Sequence, residues 1–137
     1  MQPDSWSDST IKNIAASLAD NPDILGLLLI GSHANPTLQP DAFSDLDLIL
    51  IAKDSCLPDF IYTYPDRLLS FSQPYASSRA NGPFYNSLCL WFADTHRIDT
   101  VFAPDSSLEN LEAWQDSGLL SAGFRLLFSR SESLDDL

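Results

Sequence analysis

The sequence predicts a single α/β (α+β) domain in which a small sheet of about five strands is flanked by helices. Three observations support this prediction. Apolar residues recur at three- and four-residue steps over residues 5–20, which is typical of an amphipathic helix. Two almost wholly apolar runs, 24–30 and 45–52, have the length of buried strands. A chain of 137 residues is also long enough to bury one core without disulfides or metals.

The elements of the first half follow from local signals. The helix over 5–20 is predicted to end at residues 21–23, because Pro22 disfavours a helical conformation in the residue before it. The strand over 24–30 is closed by Gly31. A polar, turn-rich stretch leads to the next strand, which alternates Asp45, Asp47 and Ile49 on one face with leucines on the other.

The second half is less regular. Four prolines break residues 53–86 into short pieces, for which we predict at most a helical turn near 66–71 and no strand. We predict two strands that form a hairpin around residues 94–96, then a helix and a last strand, over residues 87–93, 97–103, 106–115 and 124–128. Residues 129–137 are expected to be frayed and polar.

The chain is strongly acidic. Seven Lys and Arg residues stand against nineteen Asp and Glu, which gives a net charge of −12. Proteins that bind nucleic acid do so by neutralising phosphates with Lys and Arg, so this balance argues against a nucleic-acid partner. The same charge would attract a cationic small-molecule acceptor or a basic protein surface.

Several features predict a cytoplasmic protein without a membrane partner. No apolar run reaches the roughly 18 residues that a membrane helix needs. The first residues have neither the positive start nor the apolar stretch of a signal peptide. Cys56 and Cys89 have no metal-binding or redox spacing, and we interpret them as free thiols in a reducing compartment.

Two short motifs carry the chemistry. The first strand ends in Gly31-Ser32, where glycine permits a close backbone approach and the following N–H groups and the hydroxyl can contact phosphate oxygens. Asp45-Leu46-Asp47 opens the next strand and points two carboxylates to one face. Such a pair repels itself unless a cation lies between, and Mg²⁺ suits carboxylate and triphosphate oxygens together. Either motif alone is commonplace. Together, with twelve residues between them, the two motifs predict a nucleotide-binding site.

A third carboxylate, Asp99, lies within the apolar strand pattern of residues 97–101. An alternative to a metal-binding role is an ion pair with Arg97, which lies two residues away on the same face. Trp91 and Phe92 alternate on the preceding strand; we expect one in the core, and the other has the chemistry to stack on a nucleobase.

These residues carry a resemblance to a known superfamily. Gly31-Ser32, the Asp45-Leu46-Asp47 motif and Asp99 resemble the nucleotidyltransferase superfamily that includes DNA polymerase β. Segments 31–36, 43–45, 91–94 and 97–99 resemble, within it, the bacterial aminoglycoside 6-adenylyltransferases of the streptomycin-modifying kind. The resemblance runs from about residue 8 to about residue 130, over nearly the whole chain.

The resemblance implies a nucleotidyltransferase fold with a mixed sheet and a specific set of roles. Gly31 and Ser32 would contact the triphosphate, and Asp45, Asp47 and Asp99 would form a catalytic triad that binds two Mg²⁺ ions during turnover. ATP would be the substrate, and its AMP would pass to an acceptor hydroxyl. His33 stands where these enzymes usually carry arginine, so the resemblance supplies no fixed positive charge there.

Three functions are consistent with this resemblance. The leading one is an aminoglycoside-type adenylyltransferase, either whole or as a catalytic domain that lacks the helical C-terminal domain of those enzymes. The second is a stand-alone minimal nucleotidyltransferase that acts as an antitoxin and modifies or binds a helical partner toxin. The third, a nucleotide-binding module without turnover, is disfavoured by the intact acidic triad. A second copy of this chain, in a homodimer, is a further candidate partner.

Overall fold

The computed structural model describes residues 6–34, 45–59, 61, 76–81, 86–92, 96–110, 120 and 123–135. One long helix, α1 (Trp6–Ala19), precedes the first strand. The strands are β1 (Ile24–Ile30), β2 (Leu46–Ala52), β3 (Ala76–Asn81), β4 (Asn86–Trp91), β5 (Arg97–Pro104) and β6 (Phe124–Ser129). Shorter elements are the 3₁₀ helices η1 (Gly31–His33) and η2 (Asp105–Asn110) and the terminal α2 (Glu132–Asp135).

The strands form one mixed sheet in the order β3-β4-β5-β2-β1-β6. Strands β2 and β5 pair in parallel, whereas β1 pairs antiparallel with both β2 and β6, and β4 pairs antiparallel with both β3 and β5. The two predicted strands around residues 94–96 therefore do form an antiparallel hairpin. The parallel pair lies at the centre of the sheet, so residues at the start of β2 and of β5 meet at the same end.

The core lies on both faces of the sheet. Helix α1 covers one face, where its Ile11, Ile14 and Leu18 pack against side chains of β1, β2, β4 and β5. The opposite face packs against Leu108 of η2 and Leu134 of α2. Strands β1 and β2 are thus buried on both faces, which explains why their sequences are continuous apolar runs.

The structure corrects the expected strand number from about five to six. The additional strand, β3, lies in the proline-rich stretch for which no strand was predicted. It is an edge strand, whose sequence Ala-Ser-Ser-Arg-Ala-Asn lacks the apolar alternation that marks a half-buried strand. The predicted helix at 106–115 begins as the 3₁₀ helix η2, and its remainder, like the helical turn near 66–71, falls outside the described residues.

The expectation of a frayed, polar end beyond residue 128 is wrong for residues 129–135. Leu134 of α2 is only 1% exposed, and its methyl groups lie directly over Gly26 of β1. Arg130 donates from Nη1 to the carbonyl of Ile24 at 2.8 Å, and its Nη2 donates to the carbonyl of Ala19. The segment is therefore anchored to α1 and β1 by burial and by hydrogen bonds. Within the described ranges, no helix is long and apolar enough to cross a membrane.

Candidate active site

One row of side chains crosses the sheet at the point where β2 begins. Asp47 of β2 lies opposite Ile30 of β1 on one side and opposite Asp99 of β5 on the other, and Asp99 in turn lies opposite Cys89 of β4. Directly opposed residues share a face of the sheet. The predicted carboxylates Asp47 and Asp99 are therefore neighbours on the face opposite α1, although 51 residues lie between them in the chain.

Asp47 is the polar exception in a buried strand. Every residue of β2 except Asp47 is buried, and Asp47 itself is half-buried. Burial, and then the negative charges of Asp99 and Asp45, raise the pKa of Asp47 to about 6. A hydrogen bond to Asp99 also favours the protonated form, whereas the nearby Arg97 acts in the opposite direction. Negative charge at Asp47 is thus incompletely compensated by the protein, as expected of a carboxylate that binds a cation.

Gly31 takes the position that the sequence predicts for it. It follows β1 directly, begins η1 and has a φ of +77°, a conformation that residues with a Cβ rarely adopt. A Cβ atom built on Gly31 would lie 3.0 Å from Oδ2 of Asp47. The chain therefore passes close beside the carboxylate, and glycine keeps the space open. Ser32 lies next in η1, adjacent to this approach.

Arg97 links the other two aspartates. Its Nη2 atom is ion-paired with Oδ2 of Asp45 and lies 3.2 Å from Oδ2 of Asp99. Partial burial lowers the pKa of Arg97, but the charges of Asp99 and Asp45 outweigh this effect and raise the pKa above its ordinary value. The ion pair between Arg97 and Asp99, considered above as an alternative to a metal-binding role, is therefore present. The second ion pair, between Arg97 and Asp45, was not predicted.

The three carboxylates have the chemistry of a magnesium site but do not yet converge on one point. Among the described residues, no three His, Cys, Asp or Glu side chains lie close enough together to hold a metal ion as they stand. The guanidinium of Arg97 occupies the position of a cation between Asp45 and Asp99. An all-oxygen set of carboxylates suits Mg²⁺, and a cation beside Asp47 would offset the negative charges of Asp99 and Asp45 that help to raise its pKa. The residues therefore fit the ion that the resemblance implies.

Cys89 is a neighbour of the site that sequence reasoning missed. Burial first, and then a hydrogen bond and the charge of Asp99, raise the pKa of the Cys89 thiol to about 12. A hairpin that turned at residues 94–96 would place Trp91 opposite Asp99. The observed pairing sets Trp91 opposite Arg97 and continues with a 2.8 Å hydrogen bond from the amide of Phe92 to the carbonyl of His96, so the register differs by two residues and Cys89 lies opposite Asp99 instead.

The two aromatic residues at the end of β4 separate as expected. Phe92 is 2% exposed and belongs to the core cluster beneath α1. Trp91 lies opposite Arg97 and is half-buried, so it shares the face of the sheet that carries the aspartates. Phe92 is thus the aromatic residue that lies in the core, which the sequence alone could not decide.

Comparison with solved structures identifies the fold. The chain superposes on an aminoglycoside 6-adenyltransferase from Bacillus subtilis with a TM-score of 0.54 and 14% identity, covering 75% of this chain and 37% of that one. It superposes on the polymerase core of TRAMP, an RNA surveillance complex, with a TM-score of 0.51 and 15% identity, covering 83% and 38%. This chain spans little more than a third of the length of either protein. The fold is that of the nucleotidyltransferases.

Family comparison gives the narrower assignment. The model of the streptomycin adenylyltransferase family matches residues 7–122, which include both strands of the parallel pair and all three aspartates. The chain belongs to the streptomycin adenylyltransferase family. A comparison with curated protein sequences gave no match.

Proposed function

We propose that this domain transfers AMP from ATP to the hydroxyl group of a cationic acceptor of the aminoglycoside type. The observation that carries the proposal is the parallel pairing of β2 with β5, which sets Asp47 directly opposite Asp99. Asp45 stands one residue before β2 at the same end, and a Cβ atom at Gly31 would lie 3.0 Å from Oδ2 of Asp47. The backbone at Gly31, which is proposed to contact the phosphates, and the three carboxylates thus lie at the same end of the sheet.

Each residue has a distinct part in this function. Gly31 and Ser32 contact the triphosphate, because a glycine with positive φ lets the backbone approach the phosphate oxygens without a side chain in the way. Asp45, Asp47 and Asp99 would hold Mg²⁺, and Asp99 would contribute to activating the acceptor hydroxyl. When bound, the metal ions supply charge stabilisation to the attacking and leaving oxygens of an in-line displacement. The protein contributes positioning, which accounts for a large share of the rate in such reactions.

The net charge of the chain is the basis for proposing a cationic acceptor. A net charge of −12 favours the approach of polycations and opposes that of nucleic acid. The similar Bacillus subtilis protein is described as an aminoglycoside 6-adenyltransferase, and aminoglycosides are polycationic. The cytoplasm, where ATP and Mg²⁺ are abundant, is the proposed location.

An adenylylation assay tests the proposal. The protein is incubated with ATP, Mg²⁺ and streptomycin, and the acceptor is examined by mass spectrometry for the addition of AMP. We expect a mono-adenylylated product with the wild-type protein and none with Asp47→Asn, while the matched change Asp59→Asn at an exposed position leaves the yield unchanged. An adenylylated product from Asp47→Asn at near wild-type yield would exclude the role given to Asp47.

A further inference from the structure

The guanidinium of Arg97 stands where two of the three carboxylates would otherwise face each other. The same atom, Nη2, contacts Asp45 on the approach to β2 and Asp99 within β5. Arg97 is itself the first residue of β5, at the end of the sheet where Gly31 follows β1. It therefore bridges the parallel strand pair at the mouth of the site, in the place of a cation.

This position leaves Arg97 itself incompletely satisfied. Its Nε atom is buried and has no hydrogen-bond partner among the described residues. A guanidinium carries five N–H donors in a planar fork, and a buried donor without an acceptor is unfavourable. The side chain is nevertheless 38% exposed, so part of the guanidinium lies within reach of a molecule that enters the site. A ligand with several acceptor oxygens would satisfy Arg97 more fully than the two aspartates do.

The carboxylates are also incompletely satisfied. Three aspartates meet at this end of the sheet, and Arg97 brings a single positive charge to them. The guanidinium contacts Asp45 and Asp99, whereas Asp47 lies on the side of the row that faces Gly31. A divalent cation offers more charge than a guanidinium and favours carboxylate oxygens as ligands. Cation and guanidinium compete for the same oxygens, because both cannot occupy the space between Asp45 and Asp99.

We propose that Arg97 is a built-in counter-ion that exchanges partners: it holds Asp45 and Asp99 in the nucleotide-free protein and turns to the triphosphate when a divalent cation takes those carboxylates. The inference rests on the proposed function, since it requires a triphosphate and a cation at this site. Arginine suits both partners, because its planar fork matches carboxylate and phosphate oxygens equally well. The exchange makes metal binding weak until the nucleotide arrives, and so couples the two ligands.

The exchange predicts opposite effects of one substitution on two ligands. In Arg97→Gln, Mn²⁺ alone, followed by electron paramagnetic resonance, should bind about tenfold more tightly than to the wild-type protein, because the competing cation is gone; that factor is within the usual range for coupled ligands. ATP in the presence of saturating Mg²⁺ should bind about tenfold more weakly, since the phosphates lose the arginine that the metal releases to them. Arg125→Gln removes the same charge at an exposed position of β6 and should change neither affinity. A purely structural role for Arg97 would weaken both ligands.

A measurement on the wild-type protein makes the test independent of whether the variant folds. The Nε–H resonance of Arg97 should move on addition of ATP with Mg²⁺, because the unpartnered donor gains a phosphate acceptor. An unmoved resonance under saturating nucleotide would overturn the exchange. So would an unchanged or weakened Mn²⁺ affinity in Arg97→Gln while the wild-type protein binds ATP with Mn²⁺, and in that case the proposed function stands. If the wild-type protein binds no nucleotide with any divalent metal, both the exchange and the proposed function fail.

Discussion

A Cβ atom at Gly31 would lie 3.0 Å from Oδ2 of Asp47, at a backbone φ of +77°. Gly31→Ala therefore introduces both left-handed backbone strain and a contact with the carboxylate. We expect a loss of about 1–2 kcal/mol in the free energy of unfolding from the backbone alone. We also expect ATP binding in the presence of Mg²⁺ to be lost, because the methyl group enters the space between the chain and Asp47. Urea denaturation and isothermal titration calorimetry measure the two effects.

Gly26→Ala is the matched control for that change. Gly26 lies on β1, and a Cβ atom there would meet the flexible end of Leu134 at 2.5 Å, far along the strand from Asp47. This variant should lose stability as α2 shifts but retain its ATP affinity. Equal loss of ATP binding in the two alanine variants would mean that the effect at Gly31 is one of general stability.

The pKa of Asp47 predicts how the metal-free protein responds to pH. A carboxyl group whose pKa rises from 3.8 to about 6 on folding binds its proton more tightly in the folded state. Its contribution to stability is therefore present at low pH and is lost as pH rises from 3.8 to about 6. In EDTA, Asp47→Asn should gain stability relative to the wild-type protein as pH rises through this range. Chemical denaturation at several pH values, with Asp59→Asn as the control, measures the difference.

The opposite dependence would contradict the electrostatic account of Asp47. A stability difference between Asp47→Asn and the wild-type protein that stays constant with pH would show that the carboxyl group is not titrated over this range. A difference that favours the wild-type protein at pH 7 would show that ionised Asp47 is fully compensated within the fold.

Mg²⁺ and ATP should stabilise the protein more together than the sum of their separate effects. The carboxylates and the triphosphate share the ion, so each ligand strengthens the binding of the other. A ligand that binds only the folded state at a hundredfold excess over its Kd adds about 2.7 kcal/mol to the free energy of unfolding. A thermal-shift titration of both ligands measures this effect. Asp99→Asn should abolish the synergy, and additive shifts in the wild-type protein would count against a shared site.

Cys89 should be unreactive in the metal-free protein. Its pKa of about 12 leaves a thiolate fraction of about one in ten thousand at pH 8, and the thiolate is the reactive form. In a Cys56→Ala background, which isolates Cys89, we expect slow reaction with a disulfide reagent in EDTA. Asp99→Asn should raise the rate several-fold, because the carboxylate contributes to the raised pKa. Fast reaction of Cys89 beside intact Asp99 would contradict the hydrogen bond between them.

The local features of the fold could be predicted from the sequence because their causes are local. The three- and four-residue spacing of apolar residues predicted α1, and the two apolar runs predicted β1 and all of β2. The sequence could predict that the backbone at Gly31 lies open to a ligand, because glycine has no Cβ and adopts a positive φ readily at the end of a strand. Asp45 and Asp47 were recognisable by their spacing, since alternate residues of a strand share a face. The edge strand β3 has no such pattern, because few of its residues need to be apolar for it to pair.

Only the tertiary structure decided how the distant parts of the chain meet. The parallel pairing of β2 and β5, which sets Asp47 opposite Asp99, joins strands separated by 44 residues of sequence. A local sequence pattern cannot specify the register between strands so far apart. The register of β4 against β5 made Cys89, rather than Trp91, the residue opposite Asp99. The bridge from Arg97 to Asp45 depends on the same register, because a side chain reaches its partner only when strand pairing brings the two together. The sequence thus proposes candidate residues for the site, but the ion pairs and register that set their charge balance exist only in the folded sheet.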